Sequence, residues 1–392
     1  MKKSVPVSEL KFGMYVAELD RPWTDTPFMF QGFVLRSEQQ LEVLKKFCKS
    51  VLVDSERAEL PDLPPLKPFA ARYATQVPVE REVAQAKRAH AGADETMREV
   101  VAAVRANRML DATSLEQAVG TMTESVLRNP DALMLFSQLR EKGDYAHSHA
   151  LDVAVYMTTF GRFLQLPVEQ ISLLGYLGLM QDIGKLRVPD EILAKRDRLT
   201  EAELTEAKKH VAHSVAILSE SPGLPPQLSE LAALHHERHD GSGYPRGLKG
   251  KDIGMLGSIA AIADTFDALT TRRPYAAPVS PSTALSMLYK WRGTVFDAAL
   301  VEQFIRCIGI FPLGSVVELN SGEVGIVITH NTEKRLQPRV MVIRDAKGDP
   351  LRPQKLLDLS RGPKLSPDES YRIKRTLEYG KLKVTVESLF MT

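Results

Sequence analysis

The block His235-His236-Glu237-Arg238-His239-Asp240-Gly241-Ser242-Gly243-Tyr244-Pro245 constrains this chain more than any other stretch. Two adjacent histidines close an apolar helical run, Leu228 to Leu234, and a Gly/Pro turn follows. Glycine has no Cβ, so the backbone there can reverse and come close to a ligand. A histidine-dense helix end running into a tight turn is a poor way to build a core and a good way to present imidazoles to a metal. The bland alternative is that nine histidines in 392 residues must fall somewhere, mostly at the surface or as satisfied core residues. The rest of the chain shifts that balance. His149, Asp182, His210 and Asp264 sit on or beside four other predicted helices, and imidazole and carboxylate are the ligands that Fe, Mn and Zn accept. The nearest pair among them, Asp182 and His210, is 28 positions apart. Only a folded helical domain could unite them.

From about Tyr145 to Phe304 a series of motifs stands in order. It comprises Tyr145-x-x-x-His149, Asp182-Ile183-Gly184-Lys185, Pro189-Asp190-x-Ile192-Leu193 and Lys209-His210-Val211. The His235-to-Pro245 block, Ala263-to-Thr270, Arg273-Pro274-Tyr275 and Gly293-Thr294-x-Phe296-Asp297 complete it. The series resembles the HD-GYP domain, a bacterial branch of the HD phosphohydrolase superfamily. That resemblance implies an all-helical fold and hydrolysis of cyclic di-GMP, to pGpG or GMP, at a two- or three-metal site. It implies that Asp182 bridges two divalent metals, Fe or Mn first and Zn or Ni next. His149 and Asp264 would complete one site; His210, His235 and His236 would hold the other. Lys185 would act with Asp182 at the scissile phosphate or leaving oxygen, and Arg273 and Tyr244 would line the substrate groove. In this family the Gly/Pro loop is thought to contact partner diguanylate cyclase (GGDEF) domains.

Three departures qualify the resemblance. Gln181 stands where the superfamily has the histidine of its His-Asp doublet, and an amide oxygen is a neutral, weak ligand. One metal site is therefore expected to be weak or empty, and activity impaired. The competing function is a degenerate protein that binds cyclic di-GMP as a sensor or acts as an interaction module. Ala276 replaces a basic residue that meets substrate phosphate in many relatives, and Tyr145 replaces an extra carboxylate, so no third metal is expected. Each residue also has a plainer reading. Lys185 could be a solvated helix-end lysine, Arg273 could pair with Asp267, and Asp267 suits a place behind the ligands better than among them. His147 and His213 match no ligand of the family and suit the surface.

Organisation follows from pattern. Residues 1–60 read as a small α/β unit, with strands at Val5–Val7, Met14–Val16 and Val51–Val53 and a helix at Ser37–Phe47. Trp23 to Phe33 suits a strand or hairpin. Gly13-Met14-Tyr15-Val16 and Leu19-Asp20-Arg21-Pro22-Trp23 resemble a domain of unknown function that often precedes HD-GYP domains. Residues 61–79 form a Pro-rich linker. Residues 80–140 form a helical connector whose stripe of Val83, Ala86, Met97, Val100, Val101 and Val104 could pair with another chain, as in a homodimer, or pack on its own core. The metal-binding helical domain spans 141–309. In it, Val168–Met180 is the expected central helix, Gly184 its stop, and Thr200-to-Glu203 a capping box. Residues 310–392 carry a β unit with a hairpin about Asn320-Ser321-Gly322-Glu323.

Net charge is only +2, which argues against a nucleic-acid polymer or membrane surface as partner. No apolar run reaches 18 residues, so no membrane helix is expected. The N-terminus has lysines but no apolar stretch behind them, so it does not read as a signal peptide. Cys48 and Cys307 make no disulfide framework and fit as small core residues. The expected compartment is the cytoplasm.

Overall fold

The computed structural model describes residues 2–21, 26, 33–35, 38–54, 72–140, 145–195, 197–272, 277–331, 334–377 and 384–390. The architecture is mainly α, with a small α/β unit before the helices and a β unit after them. The first unit is an antiparallel sheet of β1 (Lys2–Pro6), β2 (Tyr15–Leu19), β3 (Phe33–Val34) and β4 (Ser50–Asp54), in the order β1-β4-β2-β3. Helix α1 (Glu38–Phe47) precedes β4 and buries Leu44 completely. Most of the Trp23-to-Phe33 run, and most of the Pro-rich linker, lie outside the described residues.

Helices follow in a long series: α2 (Val79–Arg105), α3 (Ala112–Arg128), α4 (Pro130–Leu139), α5 (Tyr145–Phe163) and α6 (Val168–Met180), then a 3-10 turn at Ile183–Arg187. Next come α7 (Asp190–Leu193), α8 (Glu201–Lys208), α9 (His210–Ser219), α10 (Leu228–Ala232), α11 (Gly254–Thr270), α12 (Pro281–Trp291) and α13 (Ala298–Ile308). The two alternatives for the connector helix resolve toward its own chain. Val83, Ala86, Met97, Val100 and Val104 of α2 are buried against α3, α4 and α5. Buried Glu82 reinforces that packing: its carboxylate accepts from Ser125 Oγ at 2.9 Å and from Arg128 Nε at 3.0 Å. Val101 departs from the stripe, being half-buried and facing a cavity.

The helical core closes on an aromatic cluster. Phe304 of α13 meets Phe160 of α5 and Phe266 of α11 edge-on at 5.2 and 5.3 Å, which ties three helices together. Helices α5 and α6 pack very closely because Gly178 has no side chain; a Cβ there would lie 2.3 Å from Ala154 Cα. Thr200 caps α8 as the sequence predicts, with Thr200 N donating to Glu203 Oε2 at 2.7 Å and Glu203 N to Thr200 Oγ1 at 3.3 Å. Among the described residues one helical stretch, Gly250–Thr270, has the length and hydropathy of a membrane span. It carries Asp264 and Asp267 and is 56% buried inside the protein, which makes it a core helix.

The last unit is an antiparallel sheet in the order β11-β5-β6-β7-β8, from β5 (Val316–Leu319), β6 (Val324–Thr329), β7 (Arg339–Arg344), β8 (Pro350–Asp358) and β11 (Ile373–Thr376). A two-stranded ribbon, β9 (Lys364–Ser366) with β10 (Glu369–Ser370), and helix α14 (Val386–Phe390) complete it. The sheet docks on the helices: Arg339 Nη2 lies 2.5 Å from Glu80 Oε1 on α2, and His330 N donates to Asp131 Oδ2 on α4 at 3.2 Å.

Candidate metal centre

Asp182 stands at the centre of the site. It follows the C-terminal end of α6 and begins the 3-10 turn. Gly184 was expected to stop the helix, but Gln181 already caps α6 in a helical conformation. Gly184 serves close approach instead. Its amide donates to Ser214 Oγ at 2.8 Å, and a Cβ would lie 2.1 Å from His210 O and 2.3 Å from Ser214 N. Lacking that Cβ, the turn lies flat on α9 and Asp182 faces His210.

Two groups of ligand atoms share Asp182. Asp182, His210, His235 and His236 form one; His149, Asp182 and Asp264 form the other; within each group the atoms lie within 4.8 Å of one another. His210 Nε2 and His235 Nε2 stand 3.3 and 3.4 Å from Asp182 Oδ1, and 3.4 Å from each other. His149 Nε2 stands 3.4 Å from Asp182 Oδ2 and 3.0 Å from Asp264 Oδ1.

The orientation of the rings tests whether a cation fits. His210 Nδ1 lies 2.7 Å from Ala207 O, and His235 Nδ1 lies 2.7 Å from Ala232 O. A carbonyl accepts only, so each Nδ1 carries the hydrogen and each Nε2 turns a lone pair toward Asp182. Asp182 Oδ1 is buried and has no hydrogen-bond donor. Three buried acceptors thus converge with nothing between them to donate, an arrangement that a divalent cation satisfies. His149 is oriented from behind by a carboxylate instead, its Nδ1 2.6 Å from Asp267 Oδ2. Asp267 therefore lies behind His149 and outside both groups of ligand atoms. Imidazole and carboxylate together suit a borderline divalent metal, so this is a divalent metal site.

The electrostatics divide the two halves. Burial disfavours a charged His149, yet its hydrogen bonds to Asp182, Asp264 and Asp267 prevail and hold its pKa well above the ordinary value. Burial lowers the pKa of His210 and, with neighbouring His235, lowers that of His236 further. Burial opposes ionisation of Asp182 as well, but the Lys185 ammonium and the hydrogen bond from His149 overcome it and hold its pKa well below the ordinary value. Lys185 Nζ is 2.6 Å from Asp182 Oδ2, so this lysine belongs to the site and is not a solvated helix end.

Gln181 is 1% exposed. Its Nε2 points to Asp264 Oδ1 at 3.4 Å, and its Oε1 is buried with no donor. The neutral amide of Gln181 thus lies beside the His149 half, its nitrogen toward Asp264.

The Gly/Pro loop folds back on the helix end. Glu237, almost fully buried, accepts from Arg246 N at 2.8 Å and Leu248 N at 2.9 Å. Gly241 adopts φ +83°, and a Cβ on Gly243 would meet Arg238 N at 2.4 Å, so both positions require glycine. Tyr244 stacks on His236 with ring centroids 4.6 Å apart. It does not line the cavity beside the centre. Arg273 and Ala276 fall in 273–276, outside the described residues, as does the Tyr145 side chain.

That cavity, about 1280 Å³, opens on His149, Asp182 and Lys185. Helix α2 also lines it, through Lys87, Asp94, Met97, Arg98, Val101 and Arg105. The sequence reading placed no part of the site on α2. His147, assigned to the surface, also lines the cavity and binds Asp94 Oδ1 at 2.7 Å. His213 lies outside both ligand groups.

Comparison with known proteins agrees with this geometry. Residues 103–300, half of the chain, match the model of the HD domain family. Residues 2–115 match a domain of unknown function, and residues 316–366 a KOW domain associated with the HD domain. A cyclic di-GMP phosphodiesterase of Pseudomonas aeruginosa is 32% identical over 376 residues, covering 92% of this chain and 90% of the relative. A cyclic di-GMP phosphodiesterase of Thermotoga maritima is 43% identical over 128 residues, 32% of this chain and 35% of that one. A 3'3'-cGAMP-specific phosphodiesterase of Vibrio cholerae is 38% identical over 157 residues, 40% of this chain and 36% of that one. With its motifs in order around one shared aspartate, the chain belongs to the HD domain family, in its HD-GYP branch, with Gln181 where the family's naming histidine stands.

Proposed function

We propose that this protein is a metal-dependent phosphodiesterase that hydrolyses cyclic di-GMP. One observation carries the reading: histidine nitrogens from three helical segments converge on Asp182, beside Lys185, at the wall of a cavity large enough for a dinucleotide. The relatives' activities support the same substrate. Asp182 would be shared by both metals, with His210, His235 and His236 holding one and His149 and Asp264 the other, more weakly because Gln181 offers only a neutral amide. Fe or Mn suits this mixed set best. When bound, the metals supply an activated water and neutralise charge on the scissile phosphate.

The protein's own groups do the rest. The carbonyls of Ala207 and Ala232 fix the tautomers of His210 and His235, so their lone pairs need no rearrangement before binding metal, whereas His149, oriented by Asp267, gives up its Nε2 proton on binding. Lys185 places a cation at the edge of the centre, where it meets the phosphate or the leaving oxygen. Arg273 adds a second cation to the phosphate and Tyr244 braces His236. The exposed side of the Gly/Pro loop is the surface offered to a diguanylate cyclase domain.

Gln181 favours a second reading, in which cyclic di-GMP is bound and not cut. The test is metal analysis together with cyclic di-GMP turnover and calorimetric binding, in added Mn or Fe. Turnover to pGpG or GMP is expected. Binding without turnover would decide for a sensor, and no binding at all would remove the messenger from the account.

A further inference from the structure

The substrate cavity is lined by residues of the metal centre and by a stripe of α2, on which Lys87, Asp94, Arg98 and Arg105 recur at helical spacing toward the cavity. From Lys87 to Arg105 the stripe runs about 27 Å at the rise of an α-helix. None of these four side chains is among the buried residues of α2, and a different stripe of the same helix packs the core. Their service to folding is therefore small.

The charge of the lining is informative. Among the described lining residues, Lys87, Arg98, Arg105, Arg140 and Lys185 stand against three carboxylates, Asp94, Asp182 and Asp190, and Asp182 belongs to the metal centre. Arg140 is already committed, at 3.0 Å from buried Asp152. Arg98 is held in place by a short chain of contacts. Its Nη2 lies 2.5 Å from Asp94 Oδ2, while Asp94 Oδ1 lies 2.7 Å from His147 Nε2, two residues before His149. A guanidinium on α2 is thereby tied to the helical turn that carries a metal-facing histidine, yet stays 65% exposed toward solvent.

A cavity of about 1280 Å³ exceeds what a small phosphodiester needs and is large even among small-molecule sites. A cyclic dinucleotide carries two phosphates, and the metal centre with Lys185 can engage only one of them during cleavage. We propose that Arg98 and Arg105 of α2 are specificity-determining residues that receive the second, uncut phosphate, with Asp94 positioning Arg98. The inference rests on the reading of the site as a cyclic dinucleotide phosphodiesterase. It makes the connector helix part of the substrate site and makes two phosphates a requirement for tight binding.

The experiment uses the full chain loaded with Mn and compares cyclic di-GMP with bis(4-nitrophenyl) phosphate, which has one phosphate. In Arg98→Ala/Arg105→Ala the ratio of kcat/KM for cyclic di-GMP to that for the small diester should fall at least about 10-fold, through KM. The charge-keeping Arg98→Lys/Arg105→Lys variant should recover most of it. Calorimetric Kd values for cyclic di-GMP and for inorganic phosphate give the same comparison without turnover, the cyclic dinucleotide alone weakening. Equal losses for both ligands, or no loss for either, overturn the inference while a parent that binds cyclic di-GMP keeps the proposed function. A parent that binds phosphate and not cyclic di-GMP overturns both.

Discussion

Gln181 concentrates the functional question at one buried position. Its Oε1 has no donor, and its amide faces the same Asp264 that binds His149. Restoring an imidazole there supplies a strong ligand where the chain now offers a neutral one. Gln181→His is therefore expected to raise both metal stoichiometry and cyclic di-GMP turnover, each by a factor visible in elemental analysis and product chromatography. If neither rises, Gln181 is not what limits the centre. His236→Ala addresses the other half, where all three imidazoles are present. That variant should lose the metal held with His210 and His235, and full metal content would refute the assignment. Both positions stand out in the sequence because the motif around each is contiguous. Arg98, which no motif contains, was invisible for the opposite reason: an arginine on a charged helix looks like every other solvated arginine until the fold sets a cavity beside it.

Glycines decide the site's geometry at the level of elements. Gly184→Ala would drive a methyl into backbone atoms of His210 and Ser214. Backbone cannot swing aside as a flexible side chain can, so the 3-10 turn must lift from α9 and carry Asp182 away from His210. Overpacking of this kind costs roughly 1–3 kcal/mol. Thermal unfolding of the metal-free variant should show that loss, and metal analysis should show a depleted His210 half. Wild-type melting with full metal content would contradict this account. The sequence placed α6 over its full length and the capped start of α8, since apolar periodicity and a capping box are local. It misjudged Gly184 as a helix stop because close approach to α9 cannot be read from neighbouring residues.

At the scale of the whole molecule, buried histidines couple the fold to pH. His90 of α2 accepts from Arg140 Nε at 2.9 Å, beside the Arg140–Asp152 pair that links α4 to α5. Burial, then the Arg140 charge, pushes its pKa down to about 4. A depressed histidine binds fewer protons folded than unfolded between its native value and the ordinary 6.5. Stability should therefore fall as pH drops through that window, by up to about 3 kcal/mol. Denaturant midpoints of the metal-free protein at pH 7.5 and pH 5 should show the loss, and His90→Gln should flatten it; an unchanged slope would refute the role. Metal release should follow the opposite shifts at the centre. His149 holds its proton more tightly than an ordinary histidine, whereas His210 and His236 hold theirs less tightly. On acidification a proton displaces metal from the His149 half first, and stepwise loss in that order can be followed by metal analysis across a pH series. The chain by itself determined the helical class, the flanking α/β and β units, and the identity of the groups around Asp182, because periodicity, capping and ligand chemistry are properties of residue types in order. Only the tertiary structure decided that α2 folds against its own core and lines the cavity, that Asp267 orients His149, and that the amide oxygen of Gln181 is buried without a donor. These are relations between residues tens of positions apart, created by packing, and no local pattern encodes them.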